Sequence, residues 1–357
     1  MILGFIYEPV RGISGNGGSS LMQSGRNYLC VSVLCFNCIS KMSFAAQTNV
    51  TSELQYQGLM ERLMFSTLTT LPCCVFLCIN GTMLFTLRSR PVFCETSRYV
   101  LLYNLLFADT VQMALSQILY LIAAVRITLT YPVCGVFAMI GDLTSIISPL
   151  TLVVMSLERY VAVCYPLRHA TIITIRNTGL AICVVWIFSS LNVLVRIVLL
   201  LNFPFENLQS LQMNDFCSNL AMFLGSMSDL YDKAYTCFLF LSATVAITSS
   251  YFGVMVAARS ASTDKASARK ACNTLLLHLV QLGLSLISTI YSPILIGLSR
   301  IVTRIVFVRV LSVFYVCFFI FPRCLSSLIY GIRDQTIRPI LMYYLCCGLK
   351  LSFPKGD

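Results

Sequence analysis

Two ions of opposite charge stand side by side in a passage that is otherwise apolar. Glu158 and Arg159 follow the run LTLVVM and precede YVAVC. A guanidinium is always charged and can bind a carboxylate through two parallel hydrogen bonds, so the pair can hold itself together. The residue types leave two interpretations. Arg159 reaches the water at a membrane surface, or the ion pair acts as a switch between two conformations.

Further charges lie inside apolar runs. Asp109, Asp142, Arg196 and Arg323 are each surrounded by apolar sequence, and an ionised group at membrane depth is a functional candidate because its burial is costly. For Asp142 the sequence leaves two alternatives open. The carboxylate receives a cationic ligand, or it forms an internal ion pair with Arg196 or Arg323.

The elements that must position these residues are long apolar segments. Of the 357 residues, 57% are hydrophobic and 11% are charged, whereas soluble domains carry about 25% charged residues. A membrane-spanning helix needs about 20 mainly apolar residues. Seven such runs are present, over 63–87, 99–124, 132–163, 177–201, 233–258, 272–298 and 305–331. The predicted fold is an all-α membrane protein, a seven-transmembrane helix bundle over 61–332 with an N-terminal segment at 1–60 and a tail at 333–357.

Charge distribution predicts the orientation of the bundle. An odd number of spans places the two termini on opposite sides. One set of connections is rich in basic residues, whereas the other set includes the acidic loop around 202–232. The positive-inside rule then predicts an extracellular N-terminus and a cytoplasmic C-terminus, in the plasma membrane. The basic set includes Arg88, Arg90, Arg98, Arg168, Arg176, Arg259, Arg269, Lys270 and Arg338.

Composition also weighs against several classes of function. The net charge of +11 does not indicate nucleic acid, because the basic residues punctuate apolar runs instead of forming one face or tail. Two histidines exclude a histidine-rich metal site, and HExxH does not occur, so an enzyme is not expected. The interpretation as a transporter has less support, because no pair of segments resembles an internal repeat.

Several motifs in order resemble the class A, rhodopsin-like G-protein-coupled receptors. The resemblance covers about residues 60–345, and ERY at 158–160 resembles the D/E-R-Y motif of that family. Cys134 lies 25 residues before Arg159, which is the usual separation in the family. The remaining matches are NLLFAD at 104–109, Asn80 in CINGT, Trp186 and LIYGIRD at 328–334.

Within class A, the passage MSLERYVAVCYPLRH resembles the odorant receptors, and SLERYVAVC resembles their fish branch. SSYFGVMVAAR at 249–259 and KACNTLLLHL at 270–279 resemble the cytoplasmic ends of the fifth and sixth helices of that group. The chain departs from the family at N-P-x-x-Y, where it reads Ser326-Ser327-Leu328-Ile329-Tyr330. Pro322 is then expected to kink the seventh helix, and Pro339 disturbs any amphipathic helix after it. These departures concern the activation switch, not the architecture.

The resemblance assigns roles to individual residues. It implies a G-protein coupling switch of Glu158, Arg159, Tyr160 and Tyr330, and a disulfide between Cys134 and Cys217. It also implies an intramembrane polar network of Asn80, Asp109, Ser148 and Ser326, in which Ser148 matches a sodium ligand of the family. The network is then either a purely structural hub or the site of an allosteric sodium ion near Asp109.

The ligand pocket is expected at the depth of Asp142. This residue follows Cys134 by eight positions, or about 12 Å at 1.5 Å per residue, and Tyr291 is the second pocket candidate. The implied function is a chemosensory odorant receptor, which converts binding of a small odorant-like ligand into activation of a heterotrimeric G protein of the stimulatory olfactory type. The alternatives are a non-olfactory class A receptor for an amine or a lipid and, in a different class, a membrane transporter.

Modification sites are predicted near both ends. Asn49 in NVT is a glycosylation sequon on the predicted extracellular side. Cys346 and Cys347 are either palmitoylated, in contact with membrane lipid, or idle thiols. Residues 1–41 contain no span and are expected to be an extension of the gene model, with Met42 as the natural start.

Overall fold

The computed structural model describes residues 59–125, 127–202, 212–213, 217, 226–260, 265–289, 313–333 and 336–345. Eight helices are labelled here: α1 Leu59–Ser89, α2 Ser97–Ala124, α3 Tyr131–Cys164, α4 Ile175–Leu201, α5 Ser226–Ser260, α6 Lys265–Thr289, α7 Phe321–Arg333 and α8 Ile337–Leu345. Short helices Pro91–Cys94 and Pro166–Ile172 lie in two connections, and a π-helical turn, Tyr315–Ile320, leads directly into α7. The only β pairing of the described residues is a bridge between Thr130 and Gln212.

Five helices, α1 to α5, are long and apolar enough to cross a membrane. The described parts of the sixth and seventh predicted spans contain the apolar stretches Cys272–Leu284 and Tyr315–Leu325. Residues 290–312 lie outside the described residues. Each of the seven predicted apolar runs thus contains helix, and the bounds of the first five agree with the prediction within a few residues.

Proline and threonine residues define several helix ends. Arg90, which precedes Pro91, is extended with φ −123° and ψ 128°, because a residue before proline avoids the helical region. Pro132 lies in the first turn of α3, where its missing N–H costs no hydrogen bond. Thr174 caps α4, since its hydroxyl accepts a hydrogen bond from the amide of Asn177 at 3.2 Å.

Helix α3 lies at the centre of the bundle. In the apolar stretch of α3, 56% is buried inside the protein, compared with 22% in the apolar stretch of α4. The largest apolar cluster includes Leu105 of α2, Leu152 of α3 and Ile247 of α5, all 3% exposed or less. The opposite face of α5 carries Leu241 and Phe252 at 69% and 60% exposure, and a face this apolar suits lipid contact instead of water.

Several polar side chains within the bundle are hydrogen-bonded locally or between helices. Asn104 of α2 donates to Thr151 Oγ1 on α3 at 2.9 Å and accepts from Trp186 Nε1 on α4 at 2.9 Å. Thr151 in turn donates to its own helix, at the carbonyl of Ile147. One amide side chain therefore joins three helices, which is how polar residues stabilise helix packing in lipid.

Helix α8 forms in spite of Pro339. The proline is the third residue of the helix, within the first turn, where proline removes no intrahelical hydrogen bond. Ile337 and Leu341 of α8 are buried against the main cluster. Gly331 at the end of α7 permits this packing, because a Cβ there would come within 2.5 Å of Leu341 Cδ2. The prediction that Pro339 disturbs a helix here was therefore wrong, because the proline lies in the first turn.

Candidate functional site

Helix α3 carries candidate functional residues at four depths. Cys134, Asp142, Ser148 and Glu158 are all buried on this one helix. At 1.5 Å per residue, Asp142 lies about 12 Å from Cys134 and about 25 Å from Arg159. A ligand beside Asp142 therefore has no direct contact with Arg159.

The start of α3 is joined to residues 212, 213 and 217. Cys134 and Cys217 form a disulfide with a Cα–Cα distance of 5.5 Å, as the family resemblance implied. Gln212 makes a bridge with Thr130, and the amide of Met213 donates a hydrogen bond to the carbonyl of Leu129 at 3.1 Å. These three residues are thereby held against the start of α3.

A cluster of three charges connects α3, α4 and α5. Arg196 Nη1 binds Asp142 Oδ2 at 3.0 Å, and Arg196 Nη2 binds Asp232 Oδ1. The side chains of Arg196 and Asp142 are 7% and 10% exposed. This triad answers the question that the sequence left open for Asp142: the carboxylate pairs with Arg196. Arg323 is not its partner.

Neighbouring polar groups fix the orientation of Arg196. Its Nε donates to Asn192 Oδ1 at 3.0 Å, and Asn192 Nδ2 donates to the hydroxyl oxygen of Tyr231 at 2.9 Å. The ring of Tyr231 stacks on that of Tyr235 with centroids 6.0 Å apart. Since Arg196 is held at Nε, Nη1 and Nη2, the triad is a braced structural unit with two carboxylates and one guanidinium.

A second buried ion pair lies between α2 and α7. Arg323 Nη1 binds Asp109 Oδ1 at 3.2 Å, and the two side chains are 5% and 0% exposed. The sequence predicted a polar network around Asp109 but not this partner. A sodium ion does not fit the arrangement, because a guanidinium already neutralises the carboxylate that would hold it.

The other members of the predicted network have different outcomes. Asn80 is fully buried; its Nδ2 donates to the carbonyl of Arg323 at 3.3 Å, and its Oδ1 accepts from Ser327 Oγ at 2.5 Å. The serine that reaches Asn80 is therefore Ser327, while the side chain of Ser326 lies outside the described residues. Ser148 Oγ is buried and makes no hydrogen bond within the described part of the chain.

At the far end of α3, Glu158 and Arg159 bind each other. Arg159 Nε lies 3.0 Å from Glu158 Oε2, and the side chains are 18% and 9% exposed. Arg159 Nη2 is buried and makes no hydrogen bond to any described residue. The guanidinium is thus held through one edge and retains a donor for another partner.

The surroundings of this pair include α5 and α6. Ser156 Oγ lies 3.3 Å from Nδ1 of His278 on α6, and both residues are buried. Tyr160 packs against Gly253 of α5 so closely that a Cβ on Gly253 would clash with Tyr160 Cε2. A glycine is therefore required for this contact, and sequence reasoning gave it no role.

Several predicted residues lie outside the description. Asn49, Tyr291, Cys346 and Cys347, as well as the proposed start at Met42, fall outside the described residues. The backbone of Tyr330 belongs to α7, but nothing is said of its side chain. Within the described part of the chain, no group of three or more His, Cys, Asp or Glu residues is arranged to hold a metal ion.

Sequence reasoning missed the roles of three residues. Asp232 completes the triad, Arg323 pairs with Asp109, and Ser327 binds Asn80. An arginine within an apolar run was visible in the sequence as a charge that needs a partner. The identity of that partner depends on which helices are neighbours, and the sequence alone does not give this.

Known proteins share both the pattern and most of the length of this chain. Residues 79–349 match the profile of the 7 transmembrane receptor (rhodopsin family). Odorant receptor 131-2 of Danio rerio is 35% identical over 280 residues, which are 77% of this chain and 84% of that receptor. Olfactory receptor 2A12 of Homo sapiens is 30% identical over 54% of this chain and 61% of its own length. Olfactory receptor-like protein OLF4 of Canis lupus familiaris is 28% identical over 69% of this chain and 80% of its own length.

Proposed function

This chain belongs to the rhodopsin family of seven-transmembrane receptors, and we infer that it is a chemosensory receptor of the odorant-receptor type. It is a multi-pass plasma-membrane signalling protein and not an enzyme. The predicted seven-helix membrane bundle and the resemblance to the fish odorant-receptor branch are confirmed. The observation that carries the chemosensory function is the 35% identity to a zebrafish odorant receptor over most of both chains.

We propose that the end of α3 with Glu158 and Arg159 faces the cytoplasm and the end with Cys134 faces outward. Basic residues flank the first end, at Arg88, Arg98 and Arg168, as the positive-inside rule requires. A disulfide at the other end suits the oxidising exterior. Glycosylation at Asn49 and palmitoylation at Cys346 and Cys347 remain predictions consistent with this orientation.

The proposed signal passes from the triad to Arg159. A small odorant-like ligand binds near Asp142, at the junction of α3, α4 and α5, and shifts the relative positions of these helices. At the other end of α3, Arg159 leaves Glu158 and binds the G protein, with its buried Nη2 as an additional donor. Ligand and G protein bind at opposite ends of one helix, so coupling requires a conformational change and not direct contact.

The relatives favour an odorant over an amine as the ligand class. Asp142 is bound by Arg196 at 3.0 Å, but Arg196 also binds Asp232, so the triad is negatively charged overall and does not decide against an ammonium group. The identity to odorant receptors is therefore what argues against the amine-receptor alternative. Coupling to the stimulatory olfactory G protein, with cyclic AMP as the product of its effector, is the finer part of the proposal.

The test is a substitution at Arg159. Arg159→Ala should abolish agonist-induced cyclic AMP, with surface expression retained, in cells that contain the stimulatory olfactory G protein and are screened with a panel of small odorants. Arg168→Ala is a matched control, because Arg168 is an exposed arginine on the same side. Normal signalling by Arg159→Ala would refute the coupling role, and a calcium response without cyclic AMP would refute the proposed G-protein type.

A further inference from the structure

We propose that Arg323 is a built-in cation at Asp109, and that the folded receptor consequently takes no sodium ion at this position. The proposal concerns only the contacts among α1, α2, α3, α7 and the π-helical turn before α7. Its test measures the folded protein and does not depend on signalling, so it stands or falls separately from the chemosensory function.

The guanidinium of Arg323 is held on two sides. Its Nη1 binds Asp109 Oδ1 at 3.2 Å, and its Cζ lies 5.8 Å from the ring centroid of Phe319, within cation–π distance. The carbonyl of Arg323 also accepts a hydrogen bond from Asn80. Side chain and backbone of this residue are therefore both anchored, and the charge is covalently tethered to α7, unlike an ion that exchanges with solvent.

Few oxygen atoms remain to coordinate an ion. Hard cations such as calcium and magnesium take six or more oxygen ligands. Asn80 Oδ1 already accepts from Ser327. The oxygens near Asp109 that make no hydrogen bond among the described residues are Asp109 Oδ2 and Ser148 Oγ. Arg323 Nε also makes none, but it is a donor and repels a cation.

Electrostatics leads to the same conclusion. A cation bound to Asp109 would lie within several ångströms of the guanidinium. Two like unit charges about 4 Å apart, at an effective dielectric constant of about 20, lower the affinity on the order of 1000-fold. A Kd of about 1 mM for sodium would rise to about 1 M, so the site would be mostly empty at a physiological concentration of about 0.15 M.

The experiment is the thermal unfolding of the purified full-length receptor in nanodiscs, in sodium chloride and in choline chloride at equal ionic strength. A ligand at ten times its Kd raises the folded-to-unfolded ratio about 11-fold. The wild type should unfold at the same temperature in both salts. Arg323→Gln should unfold at a higher temperature in sodium chloride, because it leaves the Asp109 charge unpaired, and the double variant Asp109→Asn, Arg323→Gln should lose this difference.

Arg323→Lys keeps a cation and should remain insensitive to sodium, which also covers the case in which Arg323→Gln does not fold. A sodium-specific stabilisation of the wild type that Asp109→Asn removes would overturn the proposal. Equal unfolding temperatures for Arg323→Gln in the two salts would show that the guanidinium is not what excludes sodium, and would overturn it as well.

Discussion

Glu158→Gln should raise the ligand-free activity of the receptor. The substitution keeps the shape of the side chain and removes the charge that binds Arg159 Nε at 3.0 Å. Arg159 remains in place and can still bind a G protein. The change therefore weakens the restraint of the resting state without removing the group that acts in the active state.

The size of the effect follows from the burial of the pair. Exposed ion pairs contribute up to about 1 kcal/mol, and hydrogen bonds to charged groups about 1.5–3 kcal/mol. With side chains 18% and 9% exposed, this pair lies between those cases, at about 1–2 kcal/mol. Its loss shifts a two-state equilibrium by about 5- to 30-fold, so an active population of about 1% would rise to about 5–23%.

The assay is cyclic AMP without agonist, normalised to receptor at the cell surface. Glu158→Asp retains the charge and should raise activity less. Glu95→Gln is the matched control, because Glu95 is exposed in the connection between α1 and α2. Basal activity of Glu158→Gln equal to that of wild type, at equal surface expression, would refute the role of Glu158 as a restraint.

Three further predictions test other parts of the site. Non-reduced digests of the surface receptor should contain the Cys134 peptide linked to the loop before α5, and a free, alkylatable Cys134 would contradict the disulfide. Gly253→Ala should displace the ring of Tyr160 and lower stability by about 1–3 kcal/mol, seen as a lower unfolding temperature; an unchanged temperature would show that the ring rotates away freely. Arg196→Met should destabilise the receptor by about 3–5 kcal/mol, because it removes the guanidinium that binds the buried carboxylate of Asp142. Adding Asp142→Asn should restore part of that loss in the same measurement, and no recovery would mean that the pair is not coupled.

The sequence predicted the helices well because hydrophobicity alone determines where a chain enters a membrane. It predicted the buried charges but did not decide which residues pair. Asp142 was compatible with Arg196 on α4 and with Arg323 on α7, and only the packing of the helices decides between them. Side chains on neighbouring helices meet by direction as well as by depth, and an apolar run contains no information about direction.

The seventh helix shows a second limit of sequence reasoning. Alignment to a family motif indicated Ser326, whereas the structure brings Ser327 to Asn80. Immediately before α7 the chain makes a π-helical turn, Tyr315–Ile320, in which hydrogen-bonded partners are five residues apart instead of four. Such a turn changes the angular position of every later residue. Motif spacing, which assumes a regular helix, therefore does not predict that Ser327 contacts Asn80.

The three ionic sites differ in a way that bears on activation. The Arg196 triad joins three helices and the Asp109–Arg323 pair joins two, whereas Glu158 and Arg159 are neighbours on α3 alone. Breaking the triad or the Asp109–Arg323 pair leaves buried charges between helices. The side chains of Arg196 and Arg323 are only 7% and 5% exposed. Arg159 is 18% exposed, and its release from Glu158 breaks no ion pair between helices. Among these three sites, the least costly rearrangement is therefore at the end of α3 that we assign to the G protein, while the two interhelical sites connect the helices through which the ligand signal is transmitted.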